Sequence, residues 1–214
     1  MSTLVIGANG KIGKRFCELA HQAGEPIKAM VRSEEQRDWF AQRGIDSVIG
    51  DLEGDFAHAF EGCDQVVFTA GSGAHTGPDK TLMIDLYGAM RAADIASEKG
   101  LSRYLMVSAI RAEAPLDAPE KLRPYMVAKF AADSHLRAAK IDHVILKPGP
   151  LTDEPATHGF ADSMAASEAQ SITRADVAHA LLYVLQHSEV TNREVTLLNG
   201  DQPIDVLLRS GSSK

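Results

Sequence analysis

The residues Thr3-Leu4-Val5-Ile6-Gly7-Ala8-Asn9-Gly10-Lys11-Ile12-Gly13 decide the fold. The first four predict a short strand, and apolar residues recur on one helical face from Lys11 to Ala23, which predicts a helix. The glycines between them form a GxxGxxG pattern, which permits a tight turn and a close approach of backbone amides to a diphosphate. We expect the diphosphate of a dinucleotide to contact Gly7, Asn9, Gly10, Lys11, Ile12 and Gly13.

Short apolar runs and helical patterns continue to alternate after this stretch. Further strands are predicted at 27–31, 46–49, 65–69, 104–107 and 143–146, and helices at 33–43, 55–61, 79–99 and 124–140. A helix between two strands lets the chain return in the same direction, so we expect parallel strands covered on both faces. The prediction is an α/β fold, a Rossmann-type doubly wound parallel sheet.

The domain organisation follows from where the strands lie. Residues 1–150 hold the six predicted strands and form the expected Rossmann core. Residues 151–209 contain one clear helix and one clear strand, at 176–186 and 194–198, and are expected to form a small C-terminal extension on the substrate side. Residues 210–214 resemble a frayed tail. No repeat or linker marks a second unit, so we expect a single NAD(P)-binding domain.

The composition limits the partners and the compartment. Among 214 residues, 22 are basic and 29 acidic, and a net charge of −7 disfavours nucleic acid as a partner. No apolar run has the length of a membrane helix, and the N-terminal order is the reverse of a signal peptide. Cys17 and Cys63 have no disulfide or zinc-site spacing. We expect a cytoplasmic protein with a small-molecule substrate, no metal and no membrane partner.

Arg32 follows the second predicted strand, where a site for NAD would usually offer an acidic residue to the ribose. A guanidinium can bind a 2′-phosphate through two hydrogen bonds, so Arg32 favours NADP over NAD. The alternative is a solvated arginine at the start of a helix. Glu34 and Glu35 follow closely and would weaken the preference.

Two further loops end predicted strands on the side where such folds bind ligands. Asp51, followed by Leu52, is placed to accept a hydrogen bond from an adenine amino group, and the alternative is a turn or helix-capping aspartate. Thr69, Ala70 and Gly71 end the fourth strand, and their small size lets a cofactor lie close to the backbone.

Together these segments resemble the short-chain dehydrogenase/reductase superfamily, in its atypical NAD(P)H-binding branch of sugar-epimerase-like proteins and NAD(P)-dependent reductases. The resemblance spans nearly the whole chain and rests on GANGKIG at 7–13, Arg32, GDL at 50–52, TAGSG at 69–73, Asp85, Ser108, YMVAK at 125–129, KPGPLTDEP at 147–155 and ITRADVA at 172–178. It implies a cofactor stretched across the sheet edge, and a monomer or homodimer. The nicotinamide would then lie near Tyr125 and the Pro148-Gly149 segment.

Tyr125 and Lys129 are four residues apart on a predicted helix and therefore share a face. An ammonium near a phenol lowers the pKa of the phenol toward values useful for proton transfer. We expect Tyr125 to exchange the proton and Lys129 to support it and to hold the nicotinamide ribose. The alternative is a surface helix that carries an aromatic and a charged residue.

Two residues depart from the pattern of the branch, and a third departs only from the pattern of the classical members. Ser108 is the candidate donor to a substrate carbonyl, but the operative serine or threonine of relatives often stands one or two places later. Asp85 stands where classical members have asparagine, and Lys147 replaces the arginine of Arg-Pro-Gly. The backbone of Pro148 and Gly149 can still face the nicotinamide carboxamide.

Four other residues are candidates for supporting roles. His75 and His158 are possible pocket residues, although a lone loop histidine is more often simply solvated. Asp176 is expected to cap the late helix, and its pairing with Arg174 would brace the far wall of the pocket.

Two functions are compatible with these residues. The first is an NADPH-dependent oxidoreductase or epimerase that transfers hydride to or from a small carbonyl, quinone or sugar-type substrate. The second is an NADP(H)-binding redox sensor or regulatory protein with little catalysis, which the position of Ser108 favours.

Overall fold

The computed structural model describes residues 2–73 and 76–210, and its centre is an eight-stranded sheet. In chain order the strands of the protein are β1 Thr3–Ile6, β2 Ile27–Val31, β3 Asp46–Ile49, β4 Gln65–Phe68, β5 Arg103–Val107, β6 Asp142–Pro148, β7 Leu151–Thr152, β8 Phe160–Ala161, β9 Ile172–Thr173 and β10 Arg193–Asn199. The large sheet has the order β3-β2-β1-β4-β5-β6-β10-β8, and β7 pairs with β9. All its neighbours are parallel except β8, which runs antiparallel to β10.

Helices cover both faces of this sheet. They are α1 Lys11–Gln22, α2 Glu34–Ala41, α3 Pro78–Lys80, α4 Ala89–Glu98, α5 Arg123–Ala138, α6 Arg174–Gln186 and α7 Ile204–Ser210, with 3₁₀ turns at Ala57–Phe60, Pro115–Asp117 and Glu120–Leu122. A π-helical segment, Thr81–Gly88, joins α3 directly to α4. The α/β, Rossmann-type doubly wound sheet is therefore confirmed.

Alternation along the strands divides the core into two layers. Val5 of β1 packs with Phe16 of α1 in a buried cluster that also includes α6 residues. The flanking Leu4 and Ile6 face the opposite layer, where they pack with residues of α4 and α5. Because side chains alternate across a strand, continuous apolar strands of this kind require a helix layer on each face.

The C-terminal part of the chain is built into the main sheet. β10 pairs in parallel with β6 along Arg193–Leu197, and α6 packs against α1. The predicted strand at 194–198 thus completes the core sheet instead of standing apart from it. α7 and the two-residue strands β7, β8 and β9 were not predicted, because such short elements have too few residues to show a period.

The strand order reverses between β1 and β4, where the neighbouring connections leave for opposite faces of the sheet. In open α/β sheets, a crevice forms at the carboxyl ends of the strands at this point. The glycine pattern after β1 and the small residues after β4 both lie there, so the fold places the two predicted cofactor loops side by side.

Candidate functional site

A cavity of about 350 Å³ lies at the carboxyl ends of β1, β2, β3 and β4. Nine of the predicted cofactor residues line it, namely Gly7, Asn9, Gly10, Arg32, Asp51, Leu52, Thr69, Ala70 and Gly71. Met30, Gln36, Ser72 and Lys80 are among the lining residues that the sequence did not single out. Five predicted residues lie outside the lining: Lys11, Ile12, Gly13, Lys129 and Pro148.

Two glycines of the turn lie so close to neighbouring backbone atoms that a side chain would not fit at either position. Gly7 has φ +84°, and a Cβ on it would lie 2.4 Å from the backbone nitrogen of Ala70. A Cβ on Gly13 would lie 2.3 Å from the carbonyl oxygen of Gly7, so this glycine lets α1 pack on the turn. Gly13 therefore serves the shape of the turn, as does the buried Ile12.

The N-terminus of α1 is suited to an anion. Gly10 is the N-cap and offers no side-chain oxygen, and no acidic residue lies in the first turn. The first amides of a helix have no partner within it, and together with the helix dipole they attract a phosphate group. The donors at this end of the cavity therefore fit the diphosphate of a dinucleotide. The Lys11 side chain turns away and pairs with Asp153 at 2.6 Å.

Arg32 lines the other end of the cavity with Gln36. Its guanidinium is exposed, and among the described residues it forms no ion pair. Ser33 caps α2 by accepting the amide of Gln36, and Glu34 pairs with Arg37 at 2.9 Å. One of the two acidic neighbours is thus neutralised within α2. Arg32 remains available to an anionic group in the cavity.

Asp51 has the turn role that the sequence offered as the alternative, and it also lies at the cavity. Its Oδ1 accepts the amide of Glu53 at 3.0 Å, as in an Asx turn, while the residue also lines the cavity. Thr69 donates from Oγ1 to the carbonyl oxygens of Ile6 and Gly7, both at 3.2 Å. The threonine hydroxyl therefore ties β4 to the glycine turn.

Tyr125 and Lys129 lie on one face of α5, beside the π-helical segment. The Lys129 Nζ is 5.6 Å from the Tyr125 ring centre and 3.2 Å from Asp85 Oδ1. The lysine and aspartate side chains are only 4% and 1% exposed. Asp85 Oδ2 accepts the amide of Ser72 at 2.9 Å, and Ser72 lines the cavity. The pair on α5 is thereby connected to the predicted cofactor loop.

The electrostatics of Tyr125 differ from the expectation of an activated phenol. Burial raises the pKa of Tyr125, Lys129 lowers it, and Asp85 and Asp133 raise it, so the net pKa lies above the ordinary value of 10.0. Lys129 lowers the pKa as expected, but the expected net lowering was wrong, because burial and two carboxylates outweigh a single ammonium. Burial lowers the pKa of Lys129, but Tyr125 and Asp85 raise it above its ordinary value. The phenol is therefore neutral and the lysine charged.

Ser108 faces α5 and not the open crevice. Ser108 is only 3% exposed, and its hydroxyl donates to Asp133 Oδ2 at 2.9 Å. Burial raises the pKa of Asp133, while Ser108, Lys147, Lys129 and Arg137 lower it, and the net pKa is raised. The hydroxyl hydrogen is thus committed to a buried carboxylate. This geometry does not support the expected donation from Ser108 to a substrate.

The segment after β6 also uses its polar groups internally. The Pro148 carbonyl oxygen accepts the amide of Ile110 at 2.9 Å, and the Gly149 amide donates to Leu197 at 3.0 Å. The expected contacts to a nicotinamide carboxamide would have to share or replace these bonds. Lys147 is buried and pairs with Glu194 at 2.6 Å, so it braces β6 against β10.

The late helix begins differently from the prediction. Thr173 is the N-cap of α6, so the expected capping by Asp176 was wrong. Asp176 is fully buried and accepts the amides of Thr157 and His158, which fixes the segment after β7. Arg174 pairs with Asp153 and not with Asp176. His158 is exposed, and His75 lies outside the described residues.

Across residues 2–73 and 76–210, no group of three or more histidine, cysteine, aspartate or glutamate side chains is arranged to hold a metal ion. In the same part of the chain, none of the helices has the length and apolar character required to cross a membrane. The candidate site consists of the cavity and the neighbouring Tyr125, Lys129 and Asp85.

The glycine turn, the strand reversal and the uncapped helix end define a dinucleotide-binding protein of the Rossmann class. The chain belongs to a family described as NAD(P)H-binding, whose model matches residues 7–188. It is 41% identical to the uncharacterized sugar epimerase YhfK of Bacillus subtilis, over 98% of this chain and 99% of that one.

Two solved structures have the same architecture over nearly the whole chain. One is a Bacillus halodurans protein whose name assigns it to the NAD-dependent epimerase/dehydratase class. It is 39% identical to this chain, with a TM-score of 0.92, and the match covers 98% of this chain and 99% of that one. The oxidoreductase ylbE of Lactococcus lactis is 25% identical, with a TM-score of 0.83 and coverage of 98% and 96%. The resemblance to the atypical NAD(P)H-binding branch is confirmed.

Proposed function

We propose that the protein is an NADP(H)-dependent oxidoreductase that reduces a small carbonyl or quinone substrate. The observation that carries the proposal is the connection between the cavity and the Tyr125–Lys129 pair. Ser72 forms part of the cavity wall, and its amide bonds to the carboxylate that pairs with Lys129. This connection supports a cofactor site and a proton-transfer group that act together.

The assignment of NADP rests on the two ends of the cavity. The free amides at the start of α1 suit the diphosphate, and Arg32 suits a 2′-phosphate through charge-assisted hydrogen bonds. Gln36 lies beside Arg32 and adds a side-chain amide at the same end. An adenine between these ends would meet Asp51 and Leu52.

The proton chemistry favours reduction of the substrate. When bound, NADPH supplies the hydride that is added to the substrate carbonyl carbon. Tyr125, whose pKa is raised mainly by burial, holds its proton and can donate it to the carbonyl oxygen, which completes the alcohol. A proton from solvent then restores the phenol. Lys129 keeps its charge next to Tyr125 and stabilises the transient phenolate.

The surroundings of Tyr125 indicate an apolar substrate. The tyrosine packs against Ala109, Ala112 and Met126, a small buried apolar cluster at the start of α5 and the loop before it. Apolar side chains beside the phenol favour a compact carbonyl compound or quinone over a charged nucleotide sugar. A sugar-type substrate, as the name of the B. subtilis relative suggests, is the alternative enzyme assignment.

The test is NADPH oxidation with a panel of aldehydes, ketones, quinones and flavins. We expect turnover with at least one acceptor and a loss of about 100-fold or more in kcat for Tyr125→Phe, because general acid catalysis typically contributes this much. Tyr183→Phe is the matched control, since Tyr183 stacks on His187 in α6. Equal loss in both variants would contradict the role of Tyr125.

One observation favours a second function. Because the Ser108 hydroxyl donates to Asp133, the residue expected to be the second donor to a carbonyl oxygen is already engaged. An NADP(H)-binding sensor would need no such donor. Tight NADPH binding without turnover of any acceptor in the panel would favour the sensor.

A further inference from the structure

Asp85 contacts both the loop that lines the cavity and the lysine beside Tyr125. It lies in the π-helical segment Thr81–Gly88, and π-helical turns are frequent at functional sites. Its carboxylate is 1% exposed and reaches two separate elements. Oδ2 accepts the Ser72 amide at 2.9 Å, and Oδ1 lies 3.2 Å from the Lys129 ammonium.

We propose that Asp85 is a positioning residue that neutralises Lys129 and so commits Tyr125 to the role of proton donor, which directs the enzyme toward reduction. The inference rests on the proposed function in one respect, because it takes Tyr125 as the group that exchanges a proton with the substrate. Asp85 itself acts through Lys129 and not on the substrate.

The charge balance around Tyr125 supports this assignment. The charged groups that act on the phenol are Lys129 and Asp133 from its own helix and Asp85 from the π-helical segment packed against it. Two carboxylates thus oppose one ammonium, and burial further disfavours a phenolate. A lysine without a carboxylate partner would stabilise the phenolate that accepts a proton during alcohol oxidation. Asp85, at 3.2 Å from Lys129, opposes that effect.

The loop after β4 holds Asp85 in this arrangement. A Cβ on Gly71 would lie 3.1 Å from Asp85 Oδ1, so the backbone approaches the carboxylate closely. Gly71 and Ser72 both line the cavity. The loop that would contact the cofactor is therefore the same loop that orients the partner of Lys129. The state of the tyrosine is coupled to this loop through a single carboxylate.

The test is a pH titration of Tyr125 in the full-length protein without added nucleotide, followed by NMR of ring-labelled tyrosine. The chain has four tyrosines, and Tyr125→Phe identifies the resonance of interest. We expect Asp85→Asn to lower the titration midpoint of Tyr125 by about one pH unit or more, because a nearby negative charge is removed. Asp94→Asn is the control, since Asp94 is exposed and pairs with His135. It should leave the midpoint unchanged.

A second variant keeps the test decisive if Asp85→Asn does not fold, because that substitution leaves Lys129 buried without its carboxylate. The double variant Asp85→Asn/Lys129→Met removes both charges and leaves no unpaired ion. Its Tyr125 midpoint should stay within about one pH unit of that of the parent protein, because the pair is nearly neutral as seen from the phenol. A rise well beyond this range, or a midpoint unchanged in a folded Asp85→Asn, would overturn the proposal. Since no nucleotide is present, neither result depends on whether the protein binds NADP(H).

Discussion

Arg32→Ala is the substitution that tests the nucleotide preference. The guanidinium lines the cavity and has no ion-pair partner among the described residues, so its removal breaks no internal contact of that kind. A hydrogen bond to a charged group contributes about 1.5 to 3 kcal/mol, and solvent exposure places Arg32 in the lower part of that range. We therefore expect NADPH to bind about 10- to 40-fold more weakly, because about 1.4 kcal/mol corresponds to tenfold.

The assay is calorimetric titration of the variant with NADPH and, separately, with NADH. The Kd for NADH should change by less than about twofold, because that nucleotide has no 2′-phosphate for Arg32 to bind. Arg37→Ala is the matched control, because Arg37 lies in α2, shortly after Arg32, and is already paired with Glu34. Equal weakening of both nucleotides, or no weakening of NADPH, would refute the assignment of Arg32.

Three other predictions concern stability and the shape of the turn. Gly13→Ala should weaken dinucleotide binding and lower the free energy of unfolding by about 1 to 3 kcal/mol, because the new Cβ would lie 2.3 Å from the Gly7 carbonyl oxygen. Gly54→Ala is the control, since a Cβ there would have no contact under 3.8 Å. Equal effects of the two substitutions would contradict the packing argument. Arg103→Met should lower the free energy of unfolding, measured in urea, by about 3 kcal/mol, because the buried guanidinium donates to carbonyls at the end of α6. A loss below about 0.5 kcal/mol would show that these hydrogen bonds are dispensable. The pKa of Glu194 is about 2 despite burial, since Arg137 and Lys147 donate hydrogen bonds to its carboxylate. The stabilisation of the folded state by this carboxylate is therefore complete above pH 4.5 and is lost as the pH falls toward 2. Allowing for solvent screening, the loss is about 1 to 2 kcal/mol, and Glu194→Gln should show a flatter acid-unfolding profile than the parent protein.

The fold was predictable because its signals are local. Each core strand is an apolar run bounded by turn residues, and the glycine pattern after β1 fixes the first turn and helix. Elements of two residues, such as β8, have no period to detect. The pairing of β10 with β6 joins segments about 50 residues apart, and no periodicity within either segment specifies such a partner.

The cofactor side of the site was predictable for the same reason, whereas the proton-transfer side was not. Arg32 and Asp51 follow their strands directly, so the sheet edge determines where they lie. The partners of the α5 residues come from distant elements. Ser108 lies 25 residues from Asp133, and Lys129 lies 44 residues from Asp85. Both pairs depend on how α5 packs on the sheet and the π-helical segment, which a motif does not encode.

The most direct measurement for the central claim is a crystal structure of the protein with NADPH. The account predicts the diphosphate on the amides at the start of α1, the 2′-phosphate at Arg32, and the nicotinamide directed toward Tyr125. A nucleotide bound elsewhere, or a nicotinamide directed away from Tyr125, would contradict it.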